Sequence, residues 1–448
     1  MSDTTALPPR SPRDPEPGDL APGTAAGPAT ALRDEAHHDV DPAAPRSVRR
    51  TVALVLVAGL GMYIMMLTVN TALSLRIASI DPGQKEAVFG RAVSLSALVM
   101  LVTIPLGGAL SDRTTSRFGR RRPWILGSLV VALLSMAVIG STDSFALITF
   151  AYVIGIVAAQ NAFSTYAVIP VEGVPDRLRA RVMGLMGMFG ALAMSAGSYL
   201  AAALVGIPVA LMVVPVLLAA LTTIPLLVMY KDPVKAAADV PPLDLRAMFS
   251  GMVVSPRRHP DFAWAWFSRF LAGIAMTAMF SFFIFYLMDG LNLPIAQAGA
   301  SAGTLSLASA PVSILFFTVS GWLSDKLGRR KPFVALAAIL MAIALVVAAT
   351  STTFTQFLVA WLIFAMGQAM YLTVDLALCA AVLPDARDAG KDMAVFQLAL
   401  SLPNIIVPAL APAVLAMGAG HNYLLLWGGA AVLCAIGALT VFRVRGVR

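Results

Sequence analysis

The chain has 448 residues, of which 58% are hydrophobic and only 12% are charged. A soluble domain carries about 25% charged residues, so this composition excludes an ordinary water-exposed surface. The formal net charge is +8, but the basic residues cluster in short gaps between apolar runs. That distribution is typical of membrane topology and not of nucleic-acid binding. We therefore expect an all-α membrane protein embedded in a lipid bilayer.

Residues 1–48 have a different composition from the rest of the chain. They are rich in Pro, Ala, Asp and Gly and contain almost no bulky apolar residue. Such a segment cannot bury enough surface to offset chain entropy, which predicts a disordered tail. Cys379 and Cys434 fall inside apolar runs, and the four histidines lack the spacing of metal ligands. We therefore predict no disulfide, no metal site and no cofactor.

Apolar runs long enough to cross a bilayer follow the tail. They are numbered here as spans 1 to 12, predicted at 51–75, 88–110, 123–140, 145–170, 182–204, 207–229, 262–287, 296–321, 332–350, 354–382, 393–416 and 420–442. One long internal loop divides them six and six. The predicted units are a cytosolic tail at 1–48, a first half at 49–229, an inter-half loop at 230–261, a second half at 262–442 and a cytosolic C-terminus at 443–448.

The loops between the spans differ in charge according to the face on which they lie. Nearly every Lys and Arg is in the loops after spans 2, 4, 6, 8 and 10 or in the termini. On the other face only Arg76 and Lys85 are basic, with Arg91 just inside span 2. The positive-inside rule then predicts cytoplasmic termini in a plasma or inner membrane.

Two similar stretches suggest an internal repeat. SDRTTSRFGRRRPW follows span 2, and SDKLGRRKPF follows span 8. Asp112 and Asp325 are 213 positions apart, and Gly119 and Gly328 are 209 apart. VPDRLRAR before span 5 and LPDARDAG before span 11 also align at 209. Each six-span half is therefore predicted to repeat the other, a pattern expected of transporters whose binding site lies between the halves.

Two copies of G-x-x-S-D-x…G-R-R-x-P in a chain of six plus six spans resemble the major facilitator superfamily, over about residues 50 to 445. The longer first copy is similar to the loop of sucrose transporters and of the wider glycoside–pentoside–hexuronide:cation symporters. The resemblance implies two pseudo-symmetric six-helix halves, alternating access and a central cavity lined by spans 1, 4, 7 and 10. It also implies a cytoplasmic gate formed by Gly107, Gly108, Asp112, Arg113, Gly119, Arg120, Arg121, Gly321, Asp325, Gly328, Arg329 and Arg330.

In that gate, each aspartate is expected at the start of a helix in the other half. Asp112 would lie near Lys391 to Met393 of span 11, and Asp325 near Arg179 to Val182 of span 5. A carboxylate at a helix N-terminus gains about 0.3–1 kcal/mol, enough to bias two balanced states. The alternative, plain topology signals, explains the arginines but not the paired aspartates.

Charged residues inside spans are costly and therefore suggest a function. Asp375 lies in span 10 and Arg269 in span 7, both toward the predicted cytosolic half, so they are able to pair. In the functional interpretation, Asp375 carries or senses a proton, while Arg269 tunes its proton affinity or holds a ligand. The alternative is a fixed structural ion pair between spans 7 and 10.

Polar side chains within the spans fit a hydroxylated ligand, because amides and aromatic rings match the hydroxyl rims and C–H faces of sugars. The candidate cavity residues are Tyr63, Asn70, Gln160, Asn161, Tyr166, Gln368, Tyr371, Gln397 and Asn404. Hydrogen bonds between helices are the alternative role for each of them.

The resemblance implies proton-coupled uptake of a sugar or glycoside by a monomeric transporter that needs no cofactor. Sucrose-type relatives carry an acid in span 4 and melibiose-type relatives carry acids in spans 2 and 4; here only Asn161 lies at a comparable depth. Sodium coordination is therefore disfavoured, and Asp375 is the expected site of proton coupling.

Export of a drug or natural product is the alternative function, although span 5 lacks the Gly-Pro-x-x-Gly-Gly pattern of drug:proton antiporters. The sequence contains no catalytic constellation, so we do not expect an enzyme.

Overall fold

The computed structural model describes residues 46–230, 259–382, 389–418 and 421–444. The chain divides into two units, Met1–Arg49 and Arg50–Arg448, and every contact discussed below lies within the second. Most of the predicted tail at 1–48 and of the predicted inter-half loop at 230–261 falls outside the described residues.

Within the described residues, twelve helical segments are long and apolar enough to cross a membrane. Spans 1 to 10 are Arg46–Ile80, Lys85–Arg113, Arg122–Ser141, Phe145–Gly173, Asp176–Leu204, Pro208–Met229, Pro260–Asp289, Ile295–Leu327, Lys331–Ala349 and Phe354–Val382. Span 11 consists of two helices, 11a (Ala389–Ser401) and 11b (Pro403–Leu415), and span 12 is Tyr423–Thr440, followed by a short 3-10 turn at Val441–Arg443.

The outer surface of the helices is apolar. Large side chains such as Phe150, Val228 and Leu439 are 64%, 71% and 69% exposed, respectively. Helices satisfy their backbone hydrogen bonds internally, which is the requirement for a chain in hydrocarbon. Exposed apolar side chains on such helices face lipid, so the predicted all-α membrane fold is confirmed.

The repeated motif has the same backbone role in both halves. Gly119 and Gly328 have φ angles of 99° and 60° in the turns after spans 2 and 8. This left-handed region favours glycine, because a Cβ atom would clash with the backbone. Pro123 and Pro332 then lie in the first turn of spans 3 and 9, where the missing N–H group of proline costs nothing. The motif therefore ends one span and starts the next.

The two ends of the helix bundle are named here by their loops. The basic side carries the turns after spans 2 and 8, and the opposite side carries the turns at 81–84 and 290–294 and the described residues 416–418 and 421–422. Toward the opposite side, spans 2 and 11b are in close contact, and so are spans 5 and 8. A Cβ atom on Gly90 would lie 2.2 Å from the Pro408 carbonyl oxygen, and the Ser195 hydroxyl donates to the Gly303 carbonyl at 2.9 Å. These two seams join the halves.

In the middle of the membrane and toward the basic side, cavities separate the same helices. A cavity of about 650 Å³ lies between spans 5 and 8, and one of about 550 Å³ lies between spans 2 and 11. The protein is therefore closed on the opposite side and open on the basic side. Span 11 is interrupted at Leu402, directly before Pro403, as expected where proline removes a helical hydrogen bond.

Replacing Gly90 with alanine tests the seam between spans 2 and 11b. The new methyl group would meet the Pro408 carbonyl and the Pro412 ring, so we expect a loss of about 1–3 kcal/mol in the stability of this closed conformation. Thermal unfolding of the purified protein in detergent measures the loss. Gly127→Ala is the matched control, because no atom lies within 4 Å of its added Cβ. Equal melting temperatures for the two variants would contradict a tight seam.

Candidate functional site

The cavity between spans 2 and 11, called the central cavity below, combines apolar walls with several neutral polar side chains. It has a volume of about 550 Å³. Its polar lining residues are Asn70, Ser96, Tyr152, Gln160, Gln397, Ser401 and Asn404. Among the described residues that line it, none is charged. Such a surface suits a neutral ligand that offers both hydroxyl groups and apolar faces.

Hydrogen bonds within each half orient these side chains. The Tyr152 hydroxyl donates to the Asn70 side-chain oxygen at 2.7 Å, and the Thr277 hydroxyl donates to that of Asn404 at 3.2 Å. The Asn404 amide nitrogen donates to the Leu400 carbonyl at 2.9 Å. Their orientation is therefore set before a ligand arrives, which lowers the entropy lost on binding.

Tyr152 was not among the predicted cavity residues. It lies eight positions before Gln160 on the same face of span 4, and this helical spacing was the available signal.

Arg269 and Asp375 form a buried ion pair behind the central cavity. The Arg269 Nη1 atom contacts the Asp375 carboxylate, and the two side chains are 5% and 1% exposed. Arg269 Nη2 also donates to the Gln397 side-chain oxygen at 2.6 Å, and its guanidinium lies 4.6 Å from the centre of the Phe396 ring. Because Gln397 also lines the cavity, this amide connects the ligand space to the ion pair.

Tyr371 lies beside Asp375, one helical turn earlier in span 10. Its side chain is fully buried. Its hydroxyl makes no hydrogen bond of good geometry within the part of the chain that the structure describes. A buried polar group without a partner is costly. The Tyr371 side chain thus lies next to the ion pair, and it is not among the residues that line either cavity.

The second cavity, of about 650 Å³, has a different character. Gln368 lines it, as do the aromatic rings of Phe280, Trp361 and Phe364 and the methionines Met188 and Met194. Spans 5, 7 and 10 contribute these residues, and span 8 completes the lining with residues such as Ser309 and Phe317. Of the spans expected around the centre, 1 and 4 therefore meet the central cavity, and 7 and 10 meet the second one.

Besides Tyr371, three predicted cavity residues are absent from the lining of both cavities. Tyr166 is fully buried, and its hydroxyl donates to the Val55 carbonyl at 2.6 Å, which ties span 4 to span 1. Asn161 packs against Gly107 so closely that a Cβ there would lie 2.1 Å from its side-chain oxygen. Tyr63 packs edge-on against Phe163, with ring centres 5.2 Å apart. Side-chain type predicted a polar contact in each case but not its direction around the helix.

The predicted gate residues are arranged differently in the two halves. Asp112 lies 3.8 Å from Arg120 and 3.7 Å from Arg121, both of its own half, and its side chain is 58% exposed. The same arginines pair with Glu172, at the end of span 4, at 2.8 and 2.6 Å. Glu172 was not predicted, because a lone acid at a span end resembles a surface residue. Among the described residues, the ion pairs of Asp112 thus lie within the first half.

In the second half, the position that aligns with Glu172 at an offset of 209 is Ala381. Asp325 and Arg329 are exposed, while Arg330 donates to the Ala377 carbonyl of span 10 at 2.7 Å. Gly321 packs against Thr373, with 3.1 Å to an added Cβ.

In the first half, Arg113 donates to the Ala109 carbonyl at 2.9 Å. A Cβ on Gly108 would meet no atom within 4 Å. Gly107, and not Gly108, therefore allows the close approach of spans 2 and 4.

A cluster of titratable residues, also not predicted, joins the halves on the opposite side. Lys85 lies 2.5 Å from Asp289, and His421 Nδ1 lies 3.2 Å from Asp289 and 3.5 Å from Glu86. Tyr423 donates to Asp289 at 2.9 Å. The ligand atoms of Glu86, Asp289 and His421 lie within 4.8 Å of one another. A metal ion there would have to displace the ammonium group of Lys85, so the cluster already contains its own cation.

Twelve spans in two repeated halves, with ligand-sized cavities at mid-membrane, define a membrane transport protein. The sequence profile of the Major Facilitator Superfamily matches residues 52–316 and 302–447. The chain belongs to this superfamily and is a transporter, not an enzyme. No curated protein sequence matches it.

Solved structures confirm the fold. The nucleoside transporter NupG superposes with a TM-score of 0.70 at 11% identity, covering 88% of this chain and 98% of that one. A bacterial homologue of the human lysosomal transporter Spinster, inward-facing and occupied, gives 0.66 at 16% identity, covering 90% and 97%. A D-xylose-proton symporter gives 0.60 at 18% identity, covering 89% and 97%.

Variants of the ion pair test its contribution to the stability of the fold. Asp375→Asn leaves Arg269 buried without its counter-ion, so we expect a loss of about 3–5 kcal/mol in the free energy of unfolding. The double variant Arg269→Gln/Asp375→Asn removes both charges and is expected to recover most of that loss. Thermal unfolding of both variants in detergent measures the difference. A double variant no more stable than the single one would contradict the pairing.

Proposed function

We propose that the protein is a secondary active transporter that takes up a sugar or glycoside together with a proton by alternating access. In this proposal it acts as a monomer in the plasma or inner membrane, with cytoplasmic termini. The observation that carries the proposal is the uncharged central cavity, whose amides and phenol are backed by one buried ion pair through Gln397.

The chemistry of the central cavity favours a sugar over a charged substrate. Amide groups such as those of Asn70 and Asn404 both donate and accept hydrogen bonds, which matches hydroxyl groups. Met66 and Met100 in the same wall offer apolar contact to the C–H faces of a ring. A carboxylate or ammonium ligand would lose its hydration without gaining a counter-ion at this surface.

Gln397 supplies the link from substrate to proton. Its side-chain oxygen accepts a hydrogen bond from Arg269. A sugar hydroxyl that hydrogen-bonds this amide would compete with Arg269 Nη2 and so alter the position of the guanidinium against Asp375. The Tyr371 hydroxyl next to Asp375 is an alternative partner for that carboxylate. Substrate binding would thus change the proton affinity of Asp375, as coupling requires.

Alternating access requires a second conformation in which the basic side closes. In the present conformation Asp112 and Asp325 are exposed at that side. Their exposure supports a latch that forms when spans 5 and 11 approach spans 8 and 2. The bonds of Arg120 and Arg121 to Glu172 would meanwhile hold the first turn rigid.

Export of an apolar drug or natural product is a second candidate, favoured by the second cavity. Its methionine and aromatic lining is adaptable and apolar. A flexible surface of this kind accepts ligands of varied shape.

Transport by the purified protein in liposomes tests the proposed function. A panel of mono- and disaccharides and glycosides is added outside, and external pH is followed in weak buffer. We expect alkalinisation by one class of sugar, because each sugar would enter with a proton. The double variant Arg269→Gln/Asp375→Asn is expected to exchange the same sugar across the membrane without moving protons. Sugar-driven proton movement that survives in this variant would remove Asp375 from the mechanism. Failure of every sugar, with efflux of apolar compounds, would favour the exporter.

Asp112→Asn tests the latch. The side chain is 58% exposed in the present conformation, so its ion pairs contribute little stability. We expect an unchanged melting temperature but at least a severalfold lower rate of sugar uptake in the same liposomes. Glu172→Gln tests the rigidity of the turn separately, since it alters the same arginines without touching the aspartate. Uptake at the parent rate in Asp112→Asn would leave the motif as a topology signal.

A further inference from the structure

The cluster on the opposite side is built by both halves of the protein, which distinguishes it from the Arg269–Asp375 pair. Lys85 and Glu86 begin span 2 in the first half, and Asp289 ends span 7 in the second. His421 follows span 11b, also in the second half. The Lys85–Asp289 contact at 2.5 Å therefore bridges the two halves. When the opposite side opens, these groups must separate.

The charges of the cluster are not balanced when His421 is neutral. Two carboxylates then face one ammonium group within a few ångströms. Glu86 and Asp289 are mostly removed from solvent, with side chains 10% and 12% exposed. One Glu86 oxygen is buried without a hydrogen-bond partner in the described residues. A protonated imidazole at His421 would balance this charge.

The backbone of His421 is a second, independent observation. This residue has a φ angle of 53°, in the left-handed region that costs a side-chain-bearing residue free energy. That conformation brings Nδ1 to 3.2 Å from Asp289 and 3.5 Å from Glu86, while the side chain stays 52% exposed. The imidazole is thus held against both carboxylates and still in reach of the solution on the opposite side.

We propose that Lys85, Glu86, Asp289 and His421 form a proton-binding site shared by the two halves, and that a bound proton holds the opposite side closed. The separated halves lack this arrangement, so the closed conformation binds the proton more tightly. By linkage, acidification then favours closure of the opposite side, and a rise in pH favours its opening. The proposal needs the two conformations of the proposed function but not its substrate, and it does not involve Asp375.

The surroundings contain few other titratable groups. Those that face the cluster or flank it are Tyr286, Tyr423, Asp81 and Arg91. Tyr286 and Tyr423 donate to the Ser351 carbonyl and to Asp289. Asp81 accepts from its own turn, and Arg91 donates to the Ala87 carbonyl one turn back. Among these described residues, His421 is therefore the only imidazole at the cluster, and histidine is the side-chain type that ordinarily changes charge between pH 5 and 8.

Distance measurements between the halves test the proposal in the full-length protein. Spin labels on Ser144→Cys and Thr353→Cys report the separation, because both positions are exposed turns on the opposite side of different halves. The native Cys379 and Cys434 are buried. We expect the ratio of closed to open molecules to rise at least about threefold from pH 8 to pH 5 for one linked proton. His421→Asn and Glu86→Gln should each flatten this dependence; asparagine is chosen because it tolerates the left-handed backbone.

Asp143→Asn is the matched control, because Asp143 pairs with Arg76 on the same side but within one half. It should keep the parental pH dependence. A parent ratio that does not change with pH, or a pH dependence that persists undiminished in both His421→Asn and Glu86→Gln, would overturn the proposal. Addition of a transported sugar to the labelled protein separates the two hypotheses. A sugar-driven change without any pH-driven change leaves the proposed function standing and rejects this site.

Discussion

The structure depends on the close contact of the two six-helix halves along two narrow seams. Spans 2 and 11b meet at Gly90 and Pro408, and spans 5 and 8 meet at Ser195 and Gly303. In lipid, no hydrophobic driving force holds helices together, so close packing and hydrogen bonds must do so. Glycine at Gly90 and Gly303 permits the approach. Because both seams lie toward the opposite side, they fix which side is open.

The charged groups follow the same division. Within the described residues, the central cavity wall is neutral. One buried pair, Arg269 and Asp375, lies inside the second half, whereas Lys85 and Asp289 pair across the halves. A pair inside one half keeps its partners when the halves move as rigid bodies, so only a ligand or proton can disturb it. A pair across the halves is disturbed by the movement itself. The two sites therefore respond to different events.

The repeat predicted the architecture well because its glycines and prolines act directly on the backbone. Glycine in a left-handed turn and proline at a helix start act locally, so Gly119, Gly328, Pro123 and Pro332 could be interpreted without a structure. The pairing of Arg269 with Asp375 was also accessible, since charges in lipid need partners.

Contacts that depend on how each helix is rotated about its axis could not be predicted from the sequence. Tyr166 and Asn161 pack between helices, although their types fit a cavity. The arginine pairs with Glu172 and the cluster around Asp289 join residues 51 to 335 positions apart, and such distances carry no local pattern. Repeat symmetry would not have found Glu172 either, because the aligned position at an offset of 209 is Ala381. Each half keeps the motif but holds it with different partners.

Span 11 contacts both the ion pair and the seam between the halves. Its first helix carries Gln397 against Arg269, and its second carries Pro408 against Gly90 of the other half. The interruption at Leu402 lies between them, where a Cβ on Gly273 of span 7 would come within 2.9 Å of the Pro403 ring. A helix broken by proline bends there at little cost. Helices 11a and 11b can then move in different directions while both stay packed against span 7. A continuous helix would instead fix Gln397 and Pro408 relative to each other, so that any local adjustment at the seam would also shift Gln397 against Arg269.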